Sequence, residues 1–425
     1  MSINIGRLIV LFQAILGVIN SYLIIKVFGL GITSDTFFLS MAILFSFYLF
    51  LVMPFEQFIF YFHKEKSKKN EGKYISYQYI LSLLVCVIGF ILFMILKPFL
   101  ISLYTTDSEL SVNITNTINY LFIGYAIYPI CYVIEKHASS IGKINSSIML
   151  ELTPNIGVFL GLIISIFHGI ESLSFIFMIR SIFIYIELLI GVYLIEKIKF
   201  DFNLEYAKSQ WLTSSLYSNK VKLIKTLPTI IIEVMISRVL SNYSQGYVSI
   251  YYYANRFAVI LKQIVIGPSF KIYQNKISDN ISKSNIKDMF NNIYTYIKES
   301  LLIYTFTAII LYFLIPQVFM FVGVDKLSVD DVEKIKDFFV VLSCTQVLII
   351  IENSISFIMF SMEKIKVMMF SYLSSTSAFL MSLNVGDFFY STKPLFTIGS
   401  SLIVFYLFMV LINLFGGYCE KNRIL

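Results

Sequence analysis

The chain has 425 residues, 57% of them hydrophobic and only 14% charged, with a formal net charge of +7. Soluble domains carry about a quarter charged residues, so this balance excludes an ordinary globular protein. The excess positive charge is not a nucleic-acid patch either, because the lysines gather in alternate loops between apolar runs, and that alternation reports membrane topology.

Apolar runs of about 20 residues or more recur along the whole chain, each long enough to cross a hydrocarbon layer of roughly 30 Å. A β-barrel would show short alternating segments instead. The pattern predicts an all-α polytopic membrane protein with twelve spans, near 5–27, 35–62, 75–104, 112–135, 145–167, 172–196, 222–243, 246–277, 289–322, 334–361, 365–386 and 394–417. The first run is too long for the apolar part of a signal peptide and lacks a small-residue cleavage site, so it reads as the first transmembrane helix. Between the ninth and tenth spans, "VGVDKLSVDDVEKIKDF" has the composition to carry helical turns of its own. Cys86, Cys131, Cys344 and Cys419 are too scattered for a disulfide framework or a metal set, and read as small apolar side chains.

Orientation follows from the loops. "HKEKSKKNEGK" (63–73), "EKHASSIGK" (135–143), the long 197–222 segment, "KIYQNKISDNISKSNIK" (271–287), "EKIK" (363–366) and the C-terminal "EKNR" share one side. "TTDSEL", "HGIES", "SNYSQG" and "VDKLSVDD" share the other and hold few lysines. The positive-inside rule therefore puts both termini in the cytoplasm, as expected of a multi-pass protein of a bacterial inner membrane.

The stretch "VFGLGITSDTFFLS" (27–40) has a downstream counterpart. "SDTFFLS" begins at Ser34 and "VSIYYYA" at Val248, an offset of 214 residues, and the same offset carries Pro54 onto Pro268. Both stretches follow a polar, glycine-containing outer turn, and both open a long helix with aromatic residues. This implies a duplication of six spans plus six, the halves related by an axis along the membrane normal. The boundaries read as an N-terminal lobe 1–196, a cytoplasmic interfacial linker 197–221 and a C-terminal lobe 222–425, enclosing a central cavity. The linker mixes lysines with Phe200, Phe202, Leu204, Tyr206, Trp211 and Leu212, a composition suited to lying in the membrane interface. Asp35 is expected at the outer end of the second span, meeting water near a helix N-terminus, where its charge is favoured. Pro54 and Pro268 remove a backbone hydrogen bond and kink their helices. Together with Gly29, Gly31 and Asp35 they form the expected gate or hinge.

These two stretches resemble a known family. "VFGLGITSDTFFLS" resembles the first-to-second helix signature of the MurJ/MviN lipid flippases, and "ISRVLSNYSQGYVSIYYYANRFAVILKQIVIGPSFKIYQNKIS" (236–278) resembles their helix 7–8 signature. The resemblance covers roughly 60 residues and implies the multidrug/oligosaccharidyl-lipid/polysaccharide exporter (MOP) superfamily, with two six-helix lobes around a central cavity. Departures are plain. The family's Arg-Asp pair in helix 1 is matched here by Asn20 and Ser21, and its Ala-Asp-Arg by Ala254-Asn255-Arg256. "YLFLVMPFEQ" replaces a charged cluster in helix 2. Twelve spans also fall short of that family's usual fourteen and look more like the Wzx-type flippases of capsule and O-antigen. The departures count against lipid II as cargo and leave the flippase class standing.

Charges inside spans cost roughly 2.5–3.5 kcal/mol each on insertion scales and call for a partner or a wet cavity. Those expected are Glu56, Glu151, Arg180, Glu187, Glu233, Arg238, Arg256, Lys262 and Glu352. For a lipid-linked glycan the resemblance implies a diphosphate headgroup, and arginine suits it because a planar guanidinium donates paired hydrogen bonds to phosphate oxygens. Arg180, Arg238 and Arg256, with Lys262, are the expected diphosphate ligands. Ion pairing with Glu187, Glu233 and Glu352 is the structural alternative. Glu56, Glu151, Glu187, Glu233 and Glu352 are expected to line the cavity or to hold a coupling ion, and Arg180 and Glu187, seven residues apart, share one helix face.

The expected activity is a flippase moving a polyprenyl-diphosphate-linked oligosaccharide by alternating access. No cofactor is expected. The chain has no P-loop for ATP, so a proton or sodium ion is the candidate for coupling. The expected partners are the lipid-linked glycan and the bilayer, with the protein working as a monomer alongside a glycan polymerase or glycosyltransferases. A MATE-like ion-coupled multidrug antiporter is the main rival, since 17% aromatic residues suit organic cations. A polysaccharide polymerase fits less well, because the longest outer loop, near 323–333, is short and acidic. The histidines (His63, His137, His168) lie near the expected loops with no catalytic spacing.

Overall fold

The computed structural model describes residues 2–55, 58–67, 69–195, 201, 203–210, 216–259, 261–262, 286–321, 327–361, 365–389 and 394–424. Among the described residues every regular element is helical, as an apolar chain requires when each span must satisfy its own backbone groups. Among the described residues eight helical stretches are long and apolar enough to cross a membrane: Ile32–Phe55, Glu71–Tyr104, Ser108–Ser140, Asn145–His168, Leu173–Leu194, Asn291–Gln317, Val329–Ser356 and Pro394–Leu414. The chain is thus a multi-pass membrane protein. The described parts of the remaining expected spans are also helical but are shorter or more polar, and residues 263–277 of the eighth lie outside the described residues. Ile15–Phe28 forms a shorter apolar helix, and serines and threonines such as Ser371, Ser375 and Thr376 dilute the eleventh run.

The chain divides into two compact units, Met1–Thr226 and Leu227–Leu425. The first contains α1 (Ser2–Phe28), α2 (Ile32–Val52), a 3-10 turn (Met53–Phe55), α3 (Phe58–Ser67), α4 (Glu71–Tyr104), α5 (Ser108–Tyr125), α6 (Tyr128–Ser140), α7 (Ile144–His168), α8 (Leu173–Leu194) and α9 (Leu204–Gln210). Helix α10 (Leu216–Tyr243) runs across the boundary. The second unit continues with α11 (247–259), α12 (Ile286–Phe321), α13 (Val329–Ser361), α14 (Ile365–Phe389) and α15 (Pro394–Ile424). Of the linker, residues 197–200, 202 and 211–215, and with them Trp211, lie outside the described residues.

Local chemistry sets the ends. The Asp107 carboxylate accepts the Leu110 backbone N–H at 3.0 Å and starts α5. Gly169, at φ 64°, closes α7 in the left-handed conformation. Gly29 at φ 70° and Gly246 at φ 92° turn the chain ahead of α2 and α11, so each of the two related stretches is entered through a glycine in the left-handed conformation. Two expected spans are interrupted. The second stops at Val52, passes through the 3-10 turn that holds Pro54 and resumes as α3. The fourth breaks at Ala126–Ile127, because Pro129 cannot continue the ladder of α5 and sits instead in the first turn of α6.

In the first unit α8 packs against α5, α6 and α7, while α7 also covers α1 and α6 also meets α4 and α3. Small residues permit a close crossing of α5 and α8. A Cβ on Gly124 of α5 would lie 2.6 Å from the Cα of Ser181 on α8. Ser181 in turn donates to the Tyr120 carbonyl at 2.6 Å and receives the Gly124 N–H at 3.2 Å. In the second unit α15 packs on α14 and α13, and α12 on α13.

Candidate functional site

Helix α8 carries a polar stripe on an otherwise apolar helix. Arg180, Ser181, Ile184, Glu187 and Gly191 all face inward, so the seven-residue spacing of Arg180 and Glu187 does put both on the buried face. Arg180 is held by neutral groups. One guanidinium nitrogen donates to the Tyr125 hydroxyl oxygen at 3.1 Å and another to Asn155 Oδ1 at 3.4 Å. Its carbon lies 5.7 Å from the centre of the Tyr125 ring. Asn20 on α1 donates to the Asn155 carbonyl at 2.9 Å, and Ser21 donates to the Gly17 carbonyl of its own helix at 3.0 Å. Asn20 thus braces α7 near the arginine. Arg180 Nε, buried, has no hydrogen-bond partner among the described residues.

Two turns further along α8, Glu187, an expected cavity carboxylate, is paired with Glu135, which sequence reading missed. Glu187 on α8 and Glu135 on α6 are buried and approach one another. Apart from that approach, neither oxygen of Glu187 has a hydrogen-bond partner among the described residues. Glu151, on α7, is exposed and borders the pair. The sequence placed Glu135 at the start of a cytoplasmic loop. The structure carries α6 on to Ser140, so Glu135 and His137 are helical and inward-facing. His137 Nδ1 and the Tyr79 hydroxyl hydrogen-bond at 3.2 Å, and Phe58 and Phe62 flank the imidazole with centroids 5.9 and 5.8 Å away. The signal in the sequence was the i, i+3, i+4, i+7 run Cys131, Ile134, Glu135 and Ala138, in which an acid sits on the apolar face.

The second unit has its own carboxylates, and their partners are hydroxyls. Glu233 on α10 accepts a hydrogen bond from Tyr252 of α11, whose hydroxyl also lies 3.4 Å from Ser237 Oγ. Glu352, buried on α13, accepts from Ser356 and from Tyr372 of α14, the latter at 3.1 Å. Asn413 of α15 donates to Ser356 at 3.5 Å, and Tyr406 stands near both Glu233 and Glu352. Arg238 is half-buried on α10, Arg256 exposed on α11 and Lys262 half-buried. Glu56 and Pro268 lie outside the described residues, as does the path of the chain from 263 to 285.

Asp35 corrects an expectation. It begins α2 as anticipated, its N–H bonded to the Gly31 carbonyl at 3.0 Å, but it is 2% exposed rather than open to water. The packing of Phe37 on Phe177, with centroids 5.4 Å apart, draws this end of the helix into the unit. Among the described residues no group of three or more His, Cys, Asp or Glu side chains is arranged to hold a metal ion.

No sequence-family model matches the chain, and no curated protein does. Solved structures do. The lipid II flippase MurJ in an inward closed conformation superposes with a TM-score of 0.76 at 18% identity, over 97% of this chain and 87% of that one. An inward-facing MATE multidrug resistance transporter of the MOP superfamily gives 0.76 at 14% identity, over 99% and 98%. The outward-facing MATE conformation gives 0.66 at 13% identity, over 98% and 96%. From end to end, this chain therefore has the all-helical membrane fold shared by the MOP-superfamily MurJ flippase and MATE transporters.

Proposed function

We propose that the chain is a membrane transporter that flips a polyprenyl-diphosphate-linked oligosaccharide by alternating access, in a bacterial cytoplasmic membrane with both termini inside. The observation that carries this reading is Arg180. A guanidinium inside an apolar bundle costs several kcal/mol unless its charge is used. Here its direct partners, Tyr125 and Asn155, are neutral, and one N–H is unspent. Such a group is suited to an anionic headgroup, and a diphosphate offers oxygens that a planar fork can grip in pairs. Arg238, Arg256 and Lys262 in the second unit are the further candidate ligands. Full-length similarity to the MurJ fold supports the reading.

A second reading has its own support. Organic cations favour carboxylates among aromatic rings, and Glu233 with Tyr252, and Glu352 with Tyr372, supply that combination. A MATE-like antiporter would use it for drug and coupling ion. Gene deletion separates the two. Loss of surface glycan with accumulation of lipid-linked intermediates supports the flippase. Normal surface glycan with new sensitivity to cationic dyes supports the antiporter and overturns the flippase. Within the flippase reading, Arg180→Ala is expected to reproduce the deletion phenotype at normal protein level.

A further inference from the structure

Two carboxylates buried together in one lobe have no role in gripping an anionic headgroup. Glu135 is 7% exposed and Glu187 1%; one turn before them the Cys131 thiol of α6 donates to the Ile184 carbonyl of α8 at 3.8 Å, and the same helix contact brings the two carboxylates together. Full ionisation of both would set two like charges side by side in a medium of low dielectric, which is why paired acids in proteins retain a proton between them. Among the described residues Arg180 is the cation that acts on Glu187, and its hydrogen bonds go to Tyr125 and Asn155 instead. From α6 the surroundings are Tyr128, Cys131 and Lys136, and from α7 the exposed Glu151. From α4 Cys86 borders Cys131, and from α2 Tyr48 packs on Tyr128 with ring centroids 6.2 Å apart. His137, on the same helix, is engaged by Tyr79 of α4 between the rings of Phe58 and Phe62 on α3.

We propose that Glu135 and Glu187 form an exchangeable proton site, one proton held between the two carboxylates and released to water when this lobe opens. A proton needs only two facing oxygens. A hard metal cation needs about six oxygen ligands, and among the described residues no set of that kind is assembled here. The site makes the proton the coupling ion of the transport reading above and so rests on that reading. It does not depend on which substrate is carried. On release the proton leaves as hydronium and the pair is left with both acids ionised, a state that wetting and the nearby Arg180 make tolerable. Loss of the proton would then favour the open form of the lobe, and its return the closed one.

Infrared difference spectroscopy on the purified full chain in nanodiscs tests the site without any transport assay. At neutral pH the wild type is expected to show the carbonyl stretch of a protonated, apolar-sited carboxyl, shifted in D2O. Glu135→Gln and Glu187→Gln should each abolish or displace that band, whereas Glu151→Gln should leave it in place. Absence of the band at neutral pH, its persistence in the Glu135→Gln, Glu187→Gln double variant, or its removal by sodium ions at constant pH overturns the proposal. If a variant does not fold, the wild type decides alone. Dicyclohexylcarbodiimide reacts with protonated buried carboxyls, and peptide mapping should place the label on Glu135 or Glu187 and show it declining as pH rises. Labelling confined to other acids overturns the assignment. A proton site with normal glycan export after gene deletion would retain this inference while removing the flippase reading.

Discussion

Arg180 of α8 meets Tyr125 of α5 twice, through a 3.1 Å hydrogen bond to the phenol oxygen and through the face of the same ring, 5.7 Å from the guanidinium carbon. The tyrosine therefore fixes the direction of the fork without neutralising it. Tyr125→Phe keeps the ring and removes the hydroxyl. Interhelical hydrogen bonds in membranes average about 0.6 kcal/mol, so stability should fall little while the fork loses its orientation. Glycan export is expected to drop several-fold at near-normal melting temperature, and Arg180→Lys should be closer to Arg180→Ala than to wild type. Export assays beside detergent melting curves check both.

The α5–α8 crossing is set by Gly124 against Ser181. Because the added methyl of Gly124→Ala would meet backbone at 2.6 Å, the helices must separate, at a cost of about 1–3 kcal/mol by analogy with overpacked cores. Ser181→Ala removes a hydroxyl bonded to Tyr120 and Gly124 and should cost about 1 kcal/mol. Unfolding in mixed micelles measures the order of the two. A tolerant Gly124→Ala would mean that α5 and α8 lie further apart than described.

Tyr372→Phe strips one donor from Glu352 and leaves Ser356. An interhelical hydrogen bond in a membrane averages about 0.6 kcal/mol, so Tyr372→Phe should loosen α14 against α13 slightly and keep most transport, while Glu352→Gln is expected to lose it. Transport in proteoliposomes beside detergent melting curves checks both. Full transport by Glu352→Gln would remove Glu352 from the coupling machinery.

Pro54 sits in the 3-10 turn that separates α2 from α3. Restoring the backbone N–H with Pro54→Ala is expected to let the α-helical ladder extend through this point. Stability should rise or hold while the transport rate falls, because a continuous helix bends less readily. A faster variant, or an unchanged one, would show that the break is tolerated rather than used.

Orientation is open to direct labelling. Lys69→Cys, in the basic loop before α4, should react with an impermeant maleimide only in inverted vesicles. Asp107→Cys and Glu171→Cys should react in intact cells. The reverse pattern would invert the topology and with it the direction of transport.

Hydropathy, loop charge and the 214-residue offset are sums over neighbouring residues, so the sequence alone determined that this chain spans a membrane as helices. Lysine placement likewise set the orientation it predicts, and Gly29 and Gly246 were already legible as turns. The helical face shared by Arg180 and Glu187 followed from periodicity, and the structure keeps it. What a side chain meets on another helix is not a local property. Glu135 read as a loop residue until α6 was seen to continue to Ser140, and its approach to Glu187 depends on how α6 crosses α8. Asp35 read as wet until the stacking of Phe37 on Phe177 buried that end of α2. The cations and acids of the second unit matched on paper as ion pairs, yet Glu233 and Glu352 take tyrosine and serine hydroxyls. Only packing decides such partners, because the cost of an unpaired polar group in an apolar interior is settled by whichever donor the crossing helices bring within reach.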